Sequence, residues 1–323
     1  MRVRPRLGLR ALATGIGLPA SMVCTEDRLA ALAPDRPGSP DRTAHVIQSL
    51  GVACRGVAGP DEDAVTLGTL AAGSALAGRA PPDLLVFCSS TAPSWTGAGA
   101  SMIAAALELP PLLAFDVKAG CSSTLHALAL VARWLEDGQT ALIVGADTWT
   151  RASPQADRGA ALTLGDAGAA VLIGTSPADS GLLGGALGTW PRHRDALGGT
   201  GRLPPTVFAP EPGDFEVRGD PDRLRAVLPE ISDAIRAEAL QTHDGPVHRL
   251  LAHAGAPELI ARNAAAWGIP ADRVHHPLRE HGNCGAANLL LAWHGLAAAD
   301  PGETWLLHAV AGGISAGALL WRT

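Results

Sequence analysis

Short apolar runs bounded by turn residues punctuate the chain at residues 83–88 (DLLVFC), 140–144 (TALIV), 169–173 (AAVLI), 249–252 (RLLA) and 304–309 (TWLLHA). Runs of this length between turn signals read as buried strands. Stretches with helical periodicity lie between them, as at 122–135, 222–240 and 286–298. Strands alternating with helices predict an α/β fold with covered sheets. The opening twenty residues place arginines before an apolar stretch, but Gly15, Gly17 and Pro19 interrupt it and no convincing cleavage site follows. That segment reads as a first strand entering a loop rather than a leader. No segment offers the roughly 18 uninterrupted apolar residues of a membrane span.

The elements recur. Gly120–Ala146 (GCSSTLHALALVARWLEDGQTALIVGA) and Gly282–Gly313 (GNCGAANLLLAWHGLAAADPGETWLLHAVAGG) each run glycine, short polar turn, Ala/Leu-rich helix, DGQT or PGET turn, apolar strand. A looser pair sets PPDLLVFCSS (81–90) against HRLLAHAGA (248–256). Such self-similarity predicts a duplicated unit whose equivalent loops meet at one site, with chance likeness of helix-turn-strand units as the plain alternative. The expected division is 1–174 and 175–323. The Gly/Pro-rich stretch 181–219, containing Trp190, Arg192, His193 and Arg194, reads as a long excursion after a strand, either a rim over a pocket or a surface loop.

Composition narrows the classes. The 323 residues are 47% hydrophobic and 17% charged, ample material for buried layers. The net charge of −6, with Lys118 the only lysine, argues against nucleic acid as a partner. Five cysteines at irregular spacing, with no CxxC pair and no metal-ligand cadence, suggest a reduced, cytoplasmic protein without a metal or other cofactor.

Three residues stand where chemistry is done. Cys121 follows a strand-like AFDV and a glycine at the start of a helix, where the macrodipole favours thiolate and a sharp turn exposes sulfur. A cysteine in an apolar protein is otherwise a small buried hydrophobe. His253 ends the run RLLA, at a strand end where α/β folds gather functional groups, although a structural histidine fits there too. Asn283, in HGNCGAAN, occupies the turn matching that of Cys121, and also suits a helix cap. If the halves are related, nucleophile, base and amide donor converge.

Four motifs in order, AFDVKAGCSSTLHAL, DRGAALTLGDAGAAVL (157–172), HGNCGAAN and AGGISAGALLWR (311–322), resemble ketoacyl-acyl-carrier-protein synthase III enzymes of the thiolase superfamily over nearly the whole chain. The resemblance implies a thiolase-like α/β fold of duplicated αβαβα halves in five layers. It implies Cys121 as acyl-accepting nucleophile, His253 and Asn283 as the decarboxylation and oxyanion pair, and the N–H groups of Cys121 and Gly312 as the oxyanion hole. Such donors are typically worth about 3 kcal/mol each. It further implies an acyl carrier protein or acyl-CoA donor, a malonyl-type or small-molecule acceptor, and a homodimer, for which the apolar segment 92–110 is the expected interface. The family's His-Gln-Ala-Asn is here His253-Ala254-Gly255-Ala256, and its following arginine is Glu258; its adenine-clasping Trp and Arg align loosely with His45 and Ser49. Arg158 is retained. Arg158 and Trp190 are candidate substrate contacts, while Arg223 and Arg225, with Arg236 near them, offer a face to an acidic carrier. These departures resemble specialised natural-product members, some of which transfer acyl groups to hydroxyls or amines.

Overall fold

The computed structural model describes residues 1–32, 39–94, 96–153, 157–176, 180–199, 216–253, 255–296 and 302–323. Two sheets face each other. The first orders its strands Gly8–Gly17, Asp166–Ser176, Thr140–Thr148, Leu84–Cys88 and Leu113–Val117; the second orders Gly181–Thr189, Ser315–Arg322, Thr304–Ala311, Arg249–Ala252 and Val274–His275. In both, the first two pairings are antiparallel and the last two parallel. Identical order and sense in two successive halves is a duplicated αβαβα unit. The short strand Arg2–Val3 crosses to the second sheet and pairs with Gly181–Thr189. The first half's last strand runs to Ser176.

Three apolar clusters correspond to the spaces between layers. The central one joins the inner faces of both sheets to helices Ser123–Trp134 and Asn288–His294. A second lies under helices Pro221–Ala239 and Pro257–Ala266, outside the second sheet. The third lies under Ala64–Leu76 and Gly99–Ala106, outside the first. Helix, sheet, helix pair, sheet, helix make five layers. Trp293 anchors the centre, edge-on to Trp305 at 6.0 Å and Trp321 at 4.8 Å between ring centroids; such pairs add to the area each ring buries.

Several bounds differ from those predicted. The strands expected at 140–144 and 169–173 extend to Thr140–Thr148 and Asp166–Ser176, because continuous antiparallel pairing between them carries the small residues at their ends. The excursion expected from residue 181 begins only after Thr189. Gly181–Thr189 is a strand of the second sheet whose glycines permit close packing: a Cβ on Gly185 would lie 2.3 Å from the Ala318 carbonyl oxygen. Glycines that signal a loop in sequence here serve packing of backbone on backbone. Beyond it come the 3₁₀ helix Pro191–Ala196 and the paired strands Leu197–Gly199 and Val217–Gly219, while 200–215 lie outside the described residues. The helix expected at 286–298 is a 3₁₀ turn, Gly285–Ala287, followed by Asn288–His294; residues 297–298 are also outside the described set.

Candidate active site

Cys121 sits between the end of strand Leu113–Val117 and helix Ser123–Trp134, at the middle layer. The turn before it requires glycine. Gly120 has φ +57°, and a Cβ there would lie 3.0 Å from Ala311 Cβ and 3.2–3.3 Å from backbone atoms of Gly312. First-half turn and second-half strand end are thereby pressed together. Hydroxyls brace the join: Ser122 Oγ and Ser315 Oγ are 2.7 Å apart, one donating to the other, and they lie 2.8 and 3.1 Å from the Ala119 carbonyl oxygen. The backbone N–H groups of Cys121 and Gly312 are near enough to the sulfur to favour its ionised form.

Burial nevertheless dominates its ionisation. Desolvation first, then the Asp147 charge, push the Cys121 thiol up to about 12, against the pull of those two N–H groups. The helix-start position expected to favour thiolate is overridden by the dry surroundings.

The second half delivers an amide chain. Asn288 Oδ1 accepts from the Cys284 N–H at 3.0 Å, which fixes which end of its carboxamide is which. Its Nδ2 then donates to Asn283 Oδ1 at 2.9 Å and to His253 Nδ1 at 3.0 Å. Asn283 Oδ1 also accepts from the Gly285 N–H at 3.0 Å. With its Nδ1 an acceptor, neutral His253 carries its proton on Nε2. Its imidazole is held down to about 4, by burial and then by His308. His308 lies on the neighbouring strand, its carbonyl accepting the His253 N–H at 2.9 Å, and burial holds its own imidazole at about 4.

Asp147 locks this turn to the first half. Its Oδ1 accepts from the Ser90 and Thr91 N–H groups and the Ser89 and Thr91 hydroxyls, and its Oδ2 from the Ala286 N–H at 2.9 Å. Gly285, at φ +58°, has room only for hydrogen, since a Cβ would lie 2.2 Å from Asp147 Oδ2.

Cys121, Asn283 and Gly312 line a cavity of about 1210 Å³, joined at its walls by Lys118 and Trp149 and rimmed by Leu197, Gly198 and Val217 from the paired strands after the second sheet's first strand. His253 reaches this cluster through Asn288. Other candidates lie elsewhere. Arg158 is exposed at the start of helix Arg158–Thr163. Trp190 packs on the outer cluster of the second half. Arg223 donates to the Arg192 carbonyl at 3.0 Å, and Arg225 pairs with Asp222 on the surface at 2.7 Å. His45, Ser49 and Glu258 are exposed; Ala254 lies outside the described residues. Asn288 and Asp147, the residues that orient the rest, were not singled out from sequence. Their signal was a polar side chain inside an apolar run, NLLLAW and ALIVGAD.

Fold and site define a class, an acyltransferase of the thiolase fold. The chain belongs to the 3-oxoacyl-[acyl-carrier-protein] synthase III family: it matches the family description over residues 115–190 and that of its C-terminal region over 237–323. It is 32% identical over 290 residues to the beta-ketoacyl-[acyl-carrier-protein] synthase III of Rhizorhabdus wittichii, covering 86% of this chain and 89% of that one. The corresponding Sphingopyxis alaskensis protein is 32% identical over 292 residues, with the same coverage. The 3-oxoacyl-(acyl carrier protein) synthase III of Pseudomonas aeruginosa superposes with a TM-score of 0.84 at 28% identity, over 98% of each chain. The priming β-ketosynthase of the R1128 polyketide pathway shares the fold, with a TM-score of 0.85 at 24% identity, over 100% of this chain and 98% of that one.

Proposed function

We propose that the protein is a decarboxylating ketosynthase of fatty-acid or polyketide synthesis that carries its acyl group on Cys121, with the first half (1–174) supplying the nucleophile and the second (175–323) the histidine and asparagine. The thiol attacks an acyl thioester, its proton leaving with the donor's sulfur. The carbonyl oxygen collects its developing charge at the N–H groups of Cys121 and Gly312. A malonyl-type thioester then loses carbon dioxide. The enolate oxygen is held by Nε2–H of His253 and the carboxamide of Asn283, and the new carbanion attacks the acyl-cysteine carbonyl, expelling the Cys121 sulfur as a thiolate that takes up a proton from solvent to restore the thiol.

The observation that carries this reading is the orientation of Asn288. By donating to His253 Nδ1 it leaves Nε2 protonated, a donor suited to an enolate. Transfer to a hydroxyl or amine would need the opposite, a bare Nε2 acting as base. Glu258, exposed where phosphates of coenzyme A would be met by an arginine, favours an acyl carrier protein as donor. A homodimer completes the assembly, through the edge of the first sheet rather than the segment 92–110 expected from sequence, whose helix Gly99–Ala106 turns Ala100, Ile103 and Ala104 into its own half's core: strand Leu113–Val117 ends that sheet, and Leu113 and Trp134 are 56% and 52% exposed beside it.

The test is intact-mass analysis with a panel of acyl thioesters, followed by carbon dioxide release from malonyl thioesters. The wild type gains one acyl group, Cys121→Ala gains none, and Asn288→Ala is still acylated but releases carbon dioxide about 100-fold more slowly. Acyl transfer to an alcohol or amine without carbon dioxide release would overturn the proposal in favour of that rival chemistry.

A further inference from the structure

Behind Leu164, which also lines the large cavity, lies a second void of about 220 Å³. It holds several times the roughly 30 Å³ that one liquid water occupies. Two arginines from different elements line it. Arg28 comes from helix Thr25–Leu32 and Arg55 from strand Cys54–Val57, with the Ser153 hydroxyl between apolar walls such as Val23 and Val57.

A void walled by arginine is unusual because guanidinium groups are rarely buried without an anion. Arg55 is only 2% exposed. One of its N–H groups donates to the Leu162 carbonyl at 3.0 Å, and no further partner of this side chain is found among the described residues. Arg28 Nε and Ser153 Oγ are buried, and neither has a hydrogen-bond partner there. The neighbouring anion, Asp166, is engaged elsewhere: it accepts from the N–H groups of Ala58 and Thr150 and from the Thr150 hydroxyl. Burial, and then the charge of Arg28, pull Arg55 down to about 10, with Asp166 acting in the opposite direction. Arg55 stays cationic at neutral pH, and the two like charges share one nearby carboxylate, Asp166, that accepts a hydrogen bond from neither guanidinium.

We infer that this void is a binding site for a phosphate-class oxyanion, held by the guanidinium groups of Arg28 and Arg55 and the hydroxyl of Ser153. Planar guanidinium forks match the oxygens of a tetrahedral anion, and a hydroxyl supplies a further donor. Leu164, which bridges to Asn283, forms the wall between this site and the acyl-transfer cavity. The inference concerns binding alone, so it stands or falls independently of the condensation chemistry.

The test uses the full chain with inorganic phosphate at constant ionic strength, reading melting temperature and phosphorus-31 line width. A ligand that binds the folded state raises the melting temperature along a saturating curve, whereas general salting-out does not saturate. The wild type is expected to saturate. In Arg28→Met the apparent affinity falls about tenfold or more, and Ser153→Ala weakens it less. In phosphate-free buffer Arg28→Met melts no lower than wild type, because it removes a repulsion, so lost binding is not mistaken for misfolding. Coenzyme A, added as a second probe, identifies the source of the oxyanion. Competition with phosphate assigns the site to a phosphate group of a nucleotide-bearing donor, and additive binding assigns it to a free oxyanion. Absence of a saturable response in the wild type, or an equal response in Arg28→Met, would overturn the inference.

Discussion

At the centre of the molecule, individual residues are governed more by desolvation than by neighbouring dipoles. Cys121, pushed up to about 12, rests as a thiol, so in the proposed reaction its proton leaves as the acyl bond forms rather than beforehand. His253 and His308, both held near 4, are neutral well below the ordinary imidazole value of 6.5. Their folded values lie below their unfolded ones. Above pH 6.5 neither state takes up protons at these positions, but as pH falls from 6.5 towards 4 the unfolded chain binds protons that the folded one refuses, and stability drops. The loss is on the order of 3 kcal/mol per histidine across that window. Urea midpoints measured from pH 7 to pH 4 should therefore fall, and His308→Gln should make the decline shallower, the rest coming from His253 and from the partly buried His243, His275, His276 and His281, which burial also lowers.

At the scale of elements, the site depends on two glycine turns, one from each half, each pressed against the opposite half. The turn before helix Ser123–Trp134 presses Gly120 onto Ala311 and Gly312, and the turn before Asn288–His294 seats Gly285 on Asp147. Gly120→Ala must place an L-residue at φ +57° and a methyl against the segment that supplies the Gly312 N–H. The left-handed backbone alone costs roughly 1–2 kcal/mol. Because the strain falls on the N–H proposed as an oxyanion donor, the rate of Cys121 acylation is expected to drop about 100-fold, further than stability alone would predict. Single-turnover acylation followed by mass alongside thermal unfolding separates the two effects.

The whole molecule is two copies of one topology clasped around a shared helical layer, with a reactive cavity where the copies meet. Among the described residues, Leu113–Val117 is an edge strand of the first sheet, and the exposed Leu113 and Trp134 form an apolar surface that a partner would cover. Replacing Leu113 with Glu is expected to convert the proposed homodimer into a monomer by light scattering, while the unfolding free energy of the monomer changes by about 0.5 kcal/mol or less. A mass unchanged by the substitution would remove this edge as the interface.

Much of the architecture was legible because duplication leaves the same order of glycine turn, helix and strand in each half, and buried strands must be apolar whatever they pack against. Residues 120–146 and 282–313 carried that pattern, and Cys121 and Asn283 stood at its equivalent turns. Other features were not legible. The strand Gly181–Thr189 resembled a loop, since only its packing partners reveal why it is glycine-rich. Asn288 and Asp147 were hidden within apolar runs, because their roles consist of hydrogen bonds to backbone and side chains far away in sequence, including the link from Asp147 to Ala286, 139 positions on. The ionisation of Cys121 and His253 likewise belongs to tertiary structure. Local sequence sets the dipole at a helix end, but the water excluded around it is a property of every layer packed above, and here exclusion is the larger force.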